Sequence, residues 1–305
     1  MELSQGDCGG EEAVQAARLY LGDTYSWSTT GVQQGIPLGP LLIALVLQPL
    51  LHNIRDICKL LLHAWYLDDD TLIGYSEEVA KALDIIKVIG PKLSLQLNIK
   101  KTKLFWPSYD GRKLRKGLFP VGIERLPLGV KLLAGAVSRD ASFISSLAIK
   151  RTKNVVNLMR LLPQFFDMQS ELLLLRSCMG IAKIFFGLRT YQPVHMEEAA
   201  LLFDNGLHRE IEDIVVCGGP FFGDIQWRLA SLPIRFSGLG LYSTVEATSY
   251  AFVASRAQSW VVQDHILRDS DIYGMYFDYA CALASLRKQL PDINLSSFST
   301  KDTAP

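Results

Sequence analysis

Three consecutive aspartates, Asp68, Asp69 and Asp70, interrupt an apolar stretch of the chain. Leu60-Leu61-Leu62-His63-Ala64-Trp65-Tyr66-Leu67 runs up to them, and Thr71-Leu72-Ile73-Gly74-Tyr75 follows. Short apolar and aromatic runs on either side of a polar break read as two strands, Leu60 to Tyr66 and Thr71 to Tyr75, forming a hairpin with an acidic tip. Adjacent carboxylates at the end of buried strands repel one another, and burial raises their pKa values unless a cation neutralises them. A hard divalent cation such as Mg²⁺ does so, held by one or two carboxylates and by substrate phosphates. Tyr66-Leu67-Asp68-Asp69-Asp70 is therefore either a metal platform for phosphoryl chemistry or a solvated turn in which aspartates serve local hydrogen bonding.

Hydrophobic residues make up 49% of the 305 and charged residues 20%, enough apolar material for a sizeable core and too much for global disorder. Formal net charge is zero, which argues against tight, nonspecific nucleic-acid binding by the whole chain. The local distribution differs: Lys100, Lys101, Lys103, Arg112, Lys113, Arg115 and Lys116 face a single acid, Asp110. That stretch is either a phosphate-neutralising segment or a solvated loop. Cys8, Cys58, Cys178, Cys217 and Cys281 are scattered, with no pair at metal-ligand spacing. A reduced intracellular protein, nuclear or cytoplasmic, is the simplest expectation. The apolar run from Leu41 to Leu51 is broken by Gln48 and Pro49 and falls short of the roughly 20 residues a membrane span needs.

The organisation predicted is α+β, a mixed part followed by a helical one. Residues 1–15 are Gly-rich and acidic and predict a poorly ordered N-terminus. Arg18 to Thr30 reads as extended, and a turn at Gly35 to Gly39 opens an apolar helix from about Pro40 that Pro49 should end or kink. Ser76 is placed to cap a helix with Glu77 and Glu78 in its first turn, stopped by Gly90-Pro91. Leu93-Ser94-Leu95-Gln96-Leu97 alternates like a strand, and Lys103 to Trp106 and Gly129 to Val137 are further strand candidates. Residues 16–140 thus form the mixed part. Residues 141–295 read as helical, with patterns from Phe143 to Leu162, Met168 to Leu188, Met196 to Val216 and Thr248 to Leu267. Residues 296–305 are a polar tail expected to be disordered.

Four features occur in a fixed order. Gly31-Val32-Gln33-Gln34-Gly35-Ile36-Pro37-Leu38-Gly39-Pro40 precedes a helix, and Tyr66-Leu67-Asp68-Asp69 follows on the hairpin. Leu97-Asn98-Ile99-Lys100-Lys101-Thr102-Lys103 and Leu128-Gly129-Val130-Lys131-Leu132-Leu133 come later. A Gln-Gly turn before a helix gives close backbone approach and exposed amides, or is a plain helix-initiating turn. The ordered set resembles the palm of reverse transcriptases, most closely those of non-long-terminal-repeat retroelements and related plant sequences. Downstream, Gly238-Leu239-Gly240-Leu241 and Ala251-Phe252-Val253-Ala254-Ser255 look like the following region of the same plant sequences.

The resemblance implies a partial palm, an antiparallel sheet with packed helices, followed by an α-helical thumb and C-terminal region. It implies an RNA-directed DNA polymerase, a nucleotidyltransferase in which a primer 3′-hydroxyl attacks the α-phosphate of a deoxynucleoside triphosphate with Mg²⁺ as cofactor. RNA template, DNA primer and deoxynucleoside triphosphates are the partners. Asp68 and Asp69 correspond to metal-binding catalytic residues, and Lys101 to a lysine facing the nucleotide phosphates. Gln34, Gly35 and Pro37 correspond to the template and nucleotide site. Tyr66 would pack beneath the metal platform, or serve as plain core packing. Gly129 and Leu132 match the segment that grips the primer.

The family's two-metal chemistry needs ions roughly 3.5–4 Å apart, with one carboxylate from a strand well upstream of the Gln-Gly turn. Only 33 residues precede Gln34, and no apolar strand among them ends in Asp at adequate spacing. The expectation is an N-terminally truncated retroelement-derived domain that lacks the fingers and the first catalytic aspartate and is inactive alone. The alternative is a non-catalytic nucleic-acid-binding or scaffold remnant. An incomplete palm would also leave a sheet edge open to association. Ile36 stands where these relatives usually carry Asp, and Asp70 where they usually carry Gly, which adds a third anion to the tip.

Overall fold

The structure, a computed structural model, describes residues 17–21, 23–28, 37–66, 69–93, 95–108, 117–217, 219, 222–267 and 275–291. The expectations for residues 1–15 and 296–305 and for most of the Gln-Gly turn lie outside them, as do residues 109–116 of the basic stretch. The chain divides into two compact units, residues 1–99 with 116–121 and residues 100–115 with 122–305.

The first unit begins with an antiparallel hairpin, β1 (Ala17–Leu21) and β2 (Thr24–Ser28), paired as Leu21 with Thr24 and Tyr20 with Tyr25. Next come helix α1 (Gly39–Ile57), strands β3 (Leu60–Tyr66) and β4 (Asp69–Gly74), and helix α2 (Ser76–Ile89). Leu47, Leu50 and Ile54 fall at helical spacing on one face of α1. They pack with Cys58, with Ala82 and Ile86 of α2, and with Trp65 and Leu72 of the hairpin. Polar contacts tie the α1 end to α2: Glu78 Oε2 accepts from the Lys59 amide at 2.7 Å, and Lys81 Nζ donates to the Ile57 carbonyl at 3.0 Å. The second of these places a cation at a helix C-terminus, where the dipole favours it.

Three local expectations are corrected. Helix α1 does not end at Pro49. The ring removes one hydrogen bond, but Pro49 and Leu45, whose carbonyl loses its partner, are both exposed, so solvent can satisfy it. Ser76 is the first helical residue and not the cap; Tyr75 holds the cap position, and the Ser76 hydroxyl turns to Glu77 at 3.2 Å. No strand forms at Leu93 or over residues 95–97. Gly90-Pro91 starts a 3₁₀ turn through Leu93, and the Leu95 amide bonds back to the Gly90 carbonyl at 2.9 Å. The alternation is real as burial, because Leu93, Leu95 and Leu97 all pack against the core.

In the second unit β5 (Lys103–Phe105) pairs in parallel with β6 (Glu124–Leu126), and β7 (Gly129–Leu132) pairs antiparallel with β8 (Gly135–Ser138). Across the described residues the strands form four separate two-stranded sheets and no single palm sheet. The β7–β8 turn places Leu133 and Ala134 at φ 44° and 67°, the left-handed conformation that tight hairpins demand and that Asn-Gly usually supplies.

Helices follow: α3 (Ala141–Met159), α4 (Met168–Cys178), α5 (Phe185–Thr190), α6 (Pro193–Val216), α7 (Asp224–Ser231), α8 (Thr244–Leu267) and α9 (Met275–Gln289). Capping aspartates start two of them: Asp140 accepts from the Ser142 amide at 2.8 Å and Asp167 from the Ser170 amide at 3.1 Å. The pattern from Met168 to Leu188 is broken after Cys178, where a Cβ on Gly180 would lie 2.7 Å from the Arg176 carbonyl. Helices α3 and α6 pack through Val155, Val156, Met159, Phe203, Leu207 and Ile211, and Gly206 lets Val156 approach closely. Asp204 of α6 caps α8, accepting from the Thr244 amide at 2.7 Å, the Val245 amide at 3.2 Å and the Ser243 hydroxyl at 2.6 Å. No helix among the described residues is long and apolar enough to cross a membrane.

Candidate functional site

The β3–β4 hairpin joins the apolar core to the acidic segment. Its register pairs Tyr66 with Asp69, Trp65 with Asp70, Ala64 with Thr71 and His63 with Leu72. Residues directly opposite share a face and successive residues alternate, so this register sorts the side chains without ambiguity. Tyr66 and Asp69 stand together on the outer face, both exposed, Tyr66 at 65%. His63, Trp65, Asp70 and Leu72 share the inner face, where Trp65 and Leu72 join the core. Tyr66 therefore does not pack beneath a platform. Strand β4 also starts two residues earlier than expected, which draws Asp69 and Asp70 out of the turn and into the ladder.

Asp70 is accordingly no third anion at the tip. Its side chain is 18% exposed, with Oδ1 unpartnered and 3.9 Å from His63 Nε2. Burial pushes its carboxyl from 3.8 up to about 7, against the smaller downward pull of the Thr71 amide. The His63 approach is not an ion pair. Burial holds that imidazole below its ordinary value, and its Nε2 accepts from the Trp65 indole N–H at 2.5 Å. A neutral His63 bonded in this way has its Nε2 lone pair engaged by Trp65 and no proton on that nitrogen to give Asp70.

Asp68, Gln34 and Gly35 lie outside the described residues. Pro37 is exposed just ahead of α1, whose N-cap position is held by Leu38, a side chain with nothing to accept an amide hydrogen. Lys101 is exposed in the turn before β5 and belongs to the second unit. Gly129 is buried, with Ser138 and Phe143 so close that a Cβ would lie 2.7 and 2.8 Å from their side chains. Among the described residues no group of three His, Cys, Asp or Glu side chains could hold a metal ion. Asp69 is the one exposed carboxylate that the described hairpin contributes. An exposed carboxylate next in sequence to a second one fits the one or two carboxylates by which Mg²⁺ is usually held.

Residues 18–132 match the family model for reverse transcriptase (RNA-dependent DNA polymerase). The matched span contains the hairpin, α1 and α2, and ends with β7. It supports a reverse transcriptase over that segment, shorter than half of the chain. No curated protein and no solved structure matches the chain. Two residues of the acidic hairpin escaped the sequence reading, His63 and Trp65, which enclose Asp70. The i, i+2 spacing from His63 to Trp65 carried the signal, since it puts both on one strand face.

Proposed function

We propose that this chain is a retroelement-derived reverse transcriptase of the non-long-terminal-repeat, plant-like type, an RNA-directed DNA polymerase by descent that does not extend primers alone. The observation that carries this reading is a hairpin at the centre of the matched span with Tyr66 and Asp69 together on its exposed face. By correspondence with the family's motifs, Asp68 and Asp69 would hold Mg²⁺, Lys101 would meet nucleotide phosphates, and Gln34, Gly35, Pro37 and Tyr66 would serve template and nucleotide. A metal held by these carboxylates would supply charge stabilisation at phosphoryl oxygens and lower the pKa of a primer hydroxyl.

Two readouts test the proposal. Primer extension on an RNA template with Mg²⁺ should give no product with the wild-type chain or with Asp68→Asn. Product that Asp68→Asn leaves unchanged would overturn the site, and product that it abolishes would overturn the inactivity. Mn²⁺ should broaden the backbone resonances of residues 66–71, and Asp68→Asn with Asp69→Asn should remove the broadening.

A second reading, nucleic-acid binding without catalysis, draws on α3 and the turn that follows it. From Ala141 to Phe166 there is no acidic residue, while Lys150, Lys153 and Arg160 are exposed. Phe165 and Phe166 lie beyond them, exposed to 57% and 92%. Cations followed by open aromatic faces suit a single strand, with phosphates on the lysines and bases on the rings.

A further inference from the structure

Helix α1 carries two apolar stripes on opposite sides. Leu47, Leu50 and Ile54 form one and are buried. Leu38, just ahead of the helix, with Leu41, Leu42, Leu45 and Val46 forms the other, and they are exposed to 61%, 56%, 41%, 55% and 51%. At about 100° per residue the second stripe is centred nearly opposite the first. A helix that is apolar all round is normally covered all round. Here one side is open, and no charged residue occurs between Asp23 and Arg55.

We propose that the exposed stripe of α1 is a self-association surface, covered by the same stripe of a second copy across a twofold axis. Three properties favour a second copy over another occupant. An uncharged stripe meets itself without like-charge repulsion, and it offers a charged partner nothing to pair with. The positions 38, 41, 42, 45 and 46 keep the i, i+3, i+4, i+7 spacing by which one helix lays an apolar face along another, and an isologous contact needs only one such face. The area also suffices: each side chain leaves on the order of 100 Å² open, so two copies together bury roughly 1,000 Å², the threshold for a specific interface. Pairing through this stripe stands apart from the polymerase reading and requires no hairpin chemistry.

Sedimentation equilibrium of the full chain tests it. The wild type should show a concentration-dependent mass rising from 34.0 kDa to twice that value. Leu41→Lys with Leu45→Lys should stay monomeric with an unchanged far-ultraviolet spectrum. Val88→Lys, which removes an exposed apolar residue of α2, should dimerise like the wild type. The milder Leu45→Ala, which a helix tolerates, should weaken the dimer at least tenfold. A monomeric wild type at all concentrations, higher aggregates without a dimer, or a dimer unaffected by Leu45→Ala would each overturn the proposal.

Discussion

Replacing Asp70 with Asn should stabilise the protein at alkaline pH and much less at acidic pH. Asp70 carries a carboxyl raised from 3.8 to about 7 because ionisation would bury a charge with one oxygen unpartnered. The folded state therefore holds this proton more tightly than the unfolded chain does. The contribution is fully present below about pH 4 and is lost progressively as pH rises to about 7 and beyond. At about 1.4 kcal/mol per tenfold change, the whole displacement is worth ~4 kcal/mol. About 2.5 kcal/mol of that loss falls between pH 5 and pH 8. The amide introduced by Asp70→Asn keeps the shape of the carboxyl and cannot ionise, so the gap between variant and wild type should widen by that amount over the interval. His63 acts in the opposite direction, since its lowered pKa costs stability as pH falls below about 6.5. Comparing the two proteins at each pH cancels most of the His63 contribution. Urea titrations followed by tryptophan fluorescence and by circular dichroism, in metal-free buffer at pH 5, 6, 7 and 8, would measure the gap. A difference that stays constant across the four pH values would refute the burial argument.

Gly238→Ala places a Cβ 2.0 Å from the Leu232 carbonyl, which also accepts from the Gly240 amide at 2.9 Å. The loop must open, so a loss of about 3 kcal/mol and a fall in Tm on the order of 10 °C are expected by calorimetry. Asp204→Ala removes the acceptor for the Thr244 and Val245 amides at the start of α8 and should cost about 2 kcal/mol in urea unfolding, with Asp204→Asn losing about half. Lys150→Glu with Lys153→Glu should weaken single-stranded RNA binding and flatten its salt dependence, by roughly 0.7 in log–log slope for each phosphate no longer neutralised. An unchanged slope in a fluorescence anisotropy titration would remove α3 from the binding face.

Most elements were legible where one kind of signal dominated. The apolar helix α1, the helical patterns of α3, α6 and α8, and the apolar strands around the acidic segment all announce their structures through spacing. Errors arose where two signals coincide. Leu93, Leu95 and Leu97 alternate in burial like a strand, but pairing needs a neighbour, and the Leu95 amide is already bonded to Gly90. Alternation reports which side chains go inward and is silent about where the amides go. Cys178 to Ile184 keeps a helical composition, yet the break after Cys178 depends on a backbone approach at Gly180 that periodicity does not register.

The acidic hairpin combines both lessons, and its chemistry turns on a shift of two residues. Reading β4 from Thr71 leaves three aspartates in a loop, free to point alike and to repel. Starting β4 at Asp69 subjects Asp69 and Asp70 to the pleat, and neighbours in a pleated strand must face opposite ways. Asp69 then faces outward beside Tyr66, where a cation can reach it, while Asp70 turns inward beside Trp65 and His63 and tends to keep its proton. The strand thus divides two identical, adjacent side chains into an exposed candidate ligand and a buried acid. Residue type alone carries no such distinction; it comes from the Tyr66–Asp69 pairing. A one-residue slip of that register would exchange the two roles, exposing Asp70 and burying Asp69. The inward Trp65 and Leu72 anchor the present register through the core, so the side chains that select which aspartate is offered to a metal are the apolar ones behind it.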